Sequence, residues 1–214
     1  MGLRQIPRAS AHWVTQFGHH FNTTFKFSLF HVVLSLPGSL GNVNKLHMAR
    51  LQIAWQSSVK LTPKARLWVT QAAEIAAHEL PAKAKTVLLS INICGDAKMR
   101  GINRTHRNKD KTTDVLSFPA QITLRKTSQL DWAGPGILPL GDLIISLPQA
   151  QRQAKEFKIS LEEELVHLFF HGFLHLCGYD HEVSPQEEKI MEKEEARLLE
   201  KFAQNKKPRK SGAS

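Results

Sequence analysis

A chain of 214 residues is long enough to bury a real core, and it suits one domain with an appendage better than two catalytic domains. Its formal charge of +10 and pI near 9.8 point to an acidic partner, with RNA, DNA and an anionic membrane surface all admissible on charge alone. Cys94 and Cys177 are the only cysteines and form no C-x-x-C pair, which argues against a disulfide framework and fits a reducing cytoplasm; the longest apolar run, Phe27 to Leu36, is too short to span a membrane.

Residues 1–48 carry Arg4, Arg8, Lys26 and Lys45 and no acidic residue, and they are set apart as an N-terminal extension. It reads as a disordered arm, as an acid-poor targeting segment, or as sequence upstream of a true start at Met48. A domain is expected over 49–204. Leu51, Ile53 and Trp55 alternate with Gln52 and Ala54 as a strand does. Thr62 caps a helix that opens with Pro63 and runs toward Glu79. Thr86 to Cys94 reads as a central strand, apolar on both faces. A short helix through Met99 and Ile102 then leads into a basic loop, Thr105 to Lys111. Asp114 to Phe118 is a strand stopped by Pro119. After a long loop containing Trp132 and Gly134-Pro135-Gly136, a fourth strand is expected from Gly141 to Ser146, with Ser146 capping a helix through Phe157.

Ser160 and Glu163 form a capping box that starts the next helix, and its broad apolar surface, from Leu161 through Leu176, predicts burial beneath the sheet. Ser184, Pro185 and Glu187 open a last helix, docked through Ile190, Met191, Leu198, Leu199 and Phe202. A basic tail follows over 205–214. Strands alternating with helices predict an α+β sandwich: a small mixed four-stranded sheet covered by helices.

The buried helix carries the chemistry. His171 and His175 are four residues apart, so they share one helix face. His181 reaches the same point only if the helix ends first, and Gly178 is placed to end it in a left-handed conformation. Three imidazoles with a fourth position open to water describe a catalytic zinc site, which makes hydroxide available near neutral pH. Imidazoles also bind copper, nickel and iron, so one zinc ion is the expectation on chemistry, not on spacing. The pattern His-x-x-x-His-x-x-Gly-x-x-His is shared with metzincin peptidases, which need Glu after the first histidine; here that residue is Gly172, placed either to leave room beside the ion or to pack the helix closely.

His171 to His181 resembles the signature of the YbeY endoribonucleases, small metal-dependent bacterial enzymes with organellar relatives. Arg107 to Pro119 resembles a second signature of that family and Leu140 to Ser146 a third, in the family's order. The resemblance implies a single-strand-specific endoribonuclease acting on ribosomal RNA at the 3′ end of the small-subunit species and in ribosome quality control, with RNA and the ribosome as partners and no membrane. It implies zinc on His171, His175 and His181 and a functional role for Arg107. A guanidinium suits that role because it pairs bidentately with phosphate oxygens. Lys109 and Lys111 are candidates to hold the RNA backbone. His167, Asp180 and Asp142 are candidates to support the ligands from behind. Thr112 stands where the family usually has Pro, and His106 where an aromatic residue commonly precedes the arginine. A metallopeptidase and a non-catalytic RNA-binding ribosome factor with a structural metal are the competing readings.

Overall fold

The computed structural model describes residues 50–80, 86–120 and 137–206. In chain order these form β1 (Arg50–Ser57), α1 (Pro63–Ala77), β2 (Thr86–Cys94), α2 (Asp96–Arg107), β3 (Val115–Pro119), β4 (Ile137–Ser146), α3 (Leu147–Phe157), α4 (Leu161–Leu176) and α5 (Pro185–Lys206). The extension, the Trp132 loop and residues 207–214 lie outside the described residues.

The sheet runs β1-β2-β4-β3. β2 pairs in parallel with both β1 and β4, while β3 lies antiparallel on the outer side of β4, so the expected mixed four-stranded α+β sandwich is what forms. Burial alternates along β2: Val87, Leu89, Ile91 and Ile93 are fully buried, and Leu88, Ser90 and Asn92 are half-buried. β2 is an inner strand of the sheet, as expected, and its Leu88 face is the less buried of the two. α4 lies against the buried face, packed on β3 and β4 and flanked by α1, α3 and α5. On the other face α2 covers only the β4 and β3 side, where the His106 ring meets Phe118 edge-on at 5.2 Å.

β3 includes Pro119, the residue expected to stop it, and starts at Val115; two other boundaries differ further from the sequence reading. Thr105, His106 and Arg107 belong to α2 and not to a loop. The helix continues because its last turn is basic, which suits the negative end of the helix dipole, and it stops where Asn108 takes the left-handed conformation at φ 54°. β4 begins at Ile137, before Gly141, and the pairing with β2 slips by one residue at Leu140, between Pro139 and Gly141. A bulge of this kind lets the strand run through a proline. Gly141, at φ 136°, sits so close to the Phe118 carbonyl that no side chain fits.

α4 is the axis of the molecule. Both halves of its capping box form, with Ser160 Oγ accepting from the Glu163 amide and Glu163 Oε2 accepting from the Ser160 amide at 2.8 Å. From Glu164 to Leu176 every residue is buried. Phe169, Phe170 and Phe173 are almost wholly enclosed, each contributing on the order of 1.5–3 kcal/mol by leaving water. A helix held on all sides cannot roll, so its histidines are fixed in direction by the core.

Candidate metal centre

Gly178 ends α4 as its position demands, at φ 90°. The Gly178 amide donates to the His175 carbonyl at 2.9 Å and the Tyr179 amide to the Leu174 carbonyl at 3.0 Å, the paired bonds of a Schellman turn. Asp180 Oδ1 then accepts from the Glu182 amide at 3.0 Å, tightening the return of the chain. His181 comes back over the end of the helix. The three imidazole centroids stand 4.9, 5.3 and 5.1 Å apart, close to an equilateral triangle.

One nitrogen from each ring lies within 4.8 Å of the other two, so the three can reach a single ion. His171 Nε2, His175 Nε2 and His181 Nδ1 are buried atoms with no hydrogen bond. Buried nitrogens left this way are costly unless something else engages them, and imidazole nitrogens at this spacing suit a metal ion. Burial, with His171 and His181 alongside, lowers the His175 pKa to about 3, so at neutral pH this ring is in the uncharged form that coordinates metals.

Gly172 faces the sheet. A Cβ there would collide with Leu143 Cδ1 and lie 3.0 Å from Ser117 Oγ and 3.2 Å from Val115 Cγ2. Of its two roles, close packing is the one the structure bears out. A glutamate at this position would meet the Leu143 side chain from its Cβ onward.

The model of the family described as "Endoribonuclease YbeY" matches residues 52–203, most of the chain. The chain belongs to the YbeY family. A protein named "Endoribonuclease YbeY" from Leptospira interrogans is 44% identical over 119 residues, spanning 52% of this chain and 84% of that one. One of the same name from Myxococcus xanthus is 48% identical over 113 residues, spanning 53% of this chain but only 36% of the relative, and one from Sulfurihydrogenibium is 46% identical over 105 residues, spanning 49% of this chain and 63% of the relative.

Two cations of the stretch from Arg107 onward interact electrostatically with the turn that carries His181. Arg107, at the C-terminal end of α2, is half-buried; desolvation lowers its pKa, opposed by the charges of Glu182 and Asp180, which flank His181. Lys109 is also lowered, first by desolvation and then by Arg107, while Glu182 opposes. The end of α2 and the residues just after it thus bring two cations to the turn that carries the third histidine. Lys111 is exposed, and its carbonyl accepts from Asn103 Nδ2 at 2.7 Å, which shapes the loop. Thr112 Oγ1 donates to Asp96 Oδ1 at 3.3 Å, tying the loop to the start of α2 without a proline.

The supporting candidates divide. Asp180 is both the turn-former and a negative charge acting on His175. His167 is buried one turn before His171 and its charge acts on Glu163; it is not in the three-donor group. Asp142 is corrected: Leu143 meets α4, and alternation along β4 puts the exposed Asp142 on the opposite face, paired with Phe118. Sequence reasoning missed Glu195. Its Oε2 lies 3.2 Å from His171 Nδ1, with both side chains largely buried. The available signal was a carboxylate set in the apolar row Met191, Leu198, Phe202 of α5.

Proposed function

We propose that this chain is a metal-dependent, single-strand-specific endoribonuclease that hydrolyses RNA phosphodiesters and acts in the cytoplasm on the 3′ end of 16S ribosomal RNA and in ribosome quality control. One observation carries the reading: a convergent three-histidine group beside a half-buried arginine, in a chain of the YbeY family. His171, His175 and His181 would hold the ion, and zinc is the metal their donor set favours. When bound, zinc lowers the pKa of water towards about 7 and so supplies a nucleophile near neutral pH.

The chain's own residues do the rest. Arg107 has lost part of its hydration already, so a phosphate that approaches it meets a cation that is cheap to desolvate further. Its planar fork pairs with two phosphate oxygens and stabilises the negative charge that grows on phosphorus during attack. Lys109 and Lys111 extend the positive path along which the RNA backbone lies. No helix among the described residues is long and apolar enough to cross a membrane.

The test is cleavage of a single-stranded fragment from the 3′ end of small-subunit rRNA by the purified full chain, with and without a chelator, beside a casein assay. Chelation should stop cleavage of RNA and added zinc should restore it, with casein left intact. Arg107→Ala should cut the cleavage rate by about 10²- to 10³-fold while zinc stays bound. Full cleavage by the zinc-loaded Arg107→Ala protein would remove Arg107 from the mechanism, and cleavage indifferent to chelation would remove the metal.

A further inference from the structure

We infer that Glu195 is the positioning residue of the metal centre: from α5 it fixes the ring of His171 and the nitrogen that carries its proton, so that Nε2 is held toward the ion. The inference rests on the metal reading above and extends it to a second helix.

Three observations carry it. Glu195 Oε2 lies 3.2 Å from His171 Nδ1. An ionised carboxylate offers only acceptors, so the shared proton sits on Nδ1, and Nε2, on the other side of the ring, is left with its lone pair. That Nε2 is a buried atom with no hydrogen bond and belongs to the three-donor group. The second observation is the cost of the arrangement. Glu195 shares a helical stripe with Met191, Leu198 and Phe202, which are 2%, 0% and 4% exposed, and its own side chain is 16% exposed. A carboxylate in an apolar row loses hydration that only a strong partner can offset. His171 Nδ1 is a partner the structure places against it, at 3.2 Å. Third, the neighbouring carboxylate is differently engaged: Glu194 accepts from Arg197 at 2.8 Å, and the same arginine bonds Glu79 at 2.7 Å. Surface anchoring of α5 is thus handled by Glu194, and Glu195 is turned inward.

Carboxylates behind metal-bound histidines hold the ring's orientation, and their loss typically costs 10- to 100-fold in metal affinity. Asp180 and Tyr179 act on His175 through the turn after α4, whereas the contact on His171 comes from another helix, α5.

The experiment is a zinc titration of the full chain, stripped and reloaded, against a chromophoric chelator, for the wild type, Glu195→Gln, Glu195→Ala and Glu194→Gln. Melting of each metal-free protein is followed in parallel. Glu195→Ala should weaken zinc binding about 10- to 100-fold. Glu195→Gln, which keeps an acceptor oxygen and the shape, should lose less and melt in the metal-free form as the wild type does. Glu194→Gln should leave zinc affinity unchanged. Affinities within twofold of wild type for both Glu195 variants, or an equal loss in Glu194→Gln, would overturn the role. A Glu195→Ala protein that does not fold leaves Glu195→Gln to decide, by a measurable loss or by none. A wild type that binds no zinc defeats the metal reading itself, and that result is distinct from wild-type binding with no effect of Glu195.

Discussion

Gly172 is where the helix and the sheet come closest, and a single methyl group tests how closely. The Ser117 hydroxyl donates to the Gly172 carbonyl at 3.1 Å, and the Leu143 side chain fills the place a Cβ would take. Two effects oppose each other in Gly172→Ala. Helix propensity favours alanine by about 1 kcal/mol. Overpacking costs about 1–3 kcal/mol, because Leu143 is itself fully buried and has nowhere to move. The second wins, and urea denaturation should show Gly172→Ala less stable by up to about 2 kcal/mol. A gain in stability would mean that Leu143 yields, and that the glycine is not there for packing. The same crowding explains why this chain keeps a metzincin-like spacing without the peptidase's glutamate.

Between elements, the contact that closes the helical layer is ionic. Glu79, in the turn after α1, accepts from Arg197 Nη2 at 2.7 Å and from Lys201 Nζ at 2.6 Å, both on α5. The Arg197 hydrogen bond holds its carboxyl below the usual glutamate range, against the opposing effect of burial. A carboxylate whose pKa is lowered by folding stabilises the fold fully above its unfolded value of about 4.3, and that contribution disappears as pH falls through the lowered value. Thermal melts of wild type and Glu79→Gln should therefore differ at pH 7, by about 1 kcal/mol at most for a partly exposed and screened pair, and converge as the pH falls through the lowered value. A difference that persists unchanged into acid would locate the effect in packing. Much of this architecture was legible because its signals are local: Ser160 with Glu163 marks where α4 begins, Gly178 where it ends, and the spacing of His171, His175 and His181 follows from those two points. What was not legible depends on partners distant in sequence. The separation of 24 positions between His171 and Glu195 hides a contact that the docking of α5 on α4 creates. Asp142 misled because one register shift at Leu140 and the pleat of β4 decide its face. The end of α2 was a local signal overlooked, since Asn108 is a common left-handed cap.

Taken over the whole molecule, charge is distributed in a way that the total of +10 conceals. The described residues are balanced, with as many acidic as basic side chains. The entire excess belongs to the remaining segments, which hold one acidic residue, Asp131, against a series of lysines and arginines that includes Lys207, Arg209 and Lys210. Within the balanced part polarity is local: α2 and its loop bring Arg104, Arg107, Lys109 and Lys111 together, while α5 is rich in glutamate. Two electrostatic tasks are thereby separable. In the proposed reaction Arg107 and Lys109 would act at the centre, at short range and with directed bonds. The outlying basic residues would act by charge, through counterions released from the RNA backbone, with a slope of about −0.7 in log affinity against log salt for each phosphate neutralised on a single strand. Replacing Lys207, Arg209 and Lys210 together by glutamine should therefore flatten the salt dependence of single-stranded RNA binding by about 2 if each contacts a phosphate. Zinc content and the position of cleavage should stay as in the wild type. An unchanged salt slope would show that the tail does not touch RNA, and a changed cleavage position would show that it selects the substrate as well as attracting it.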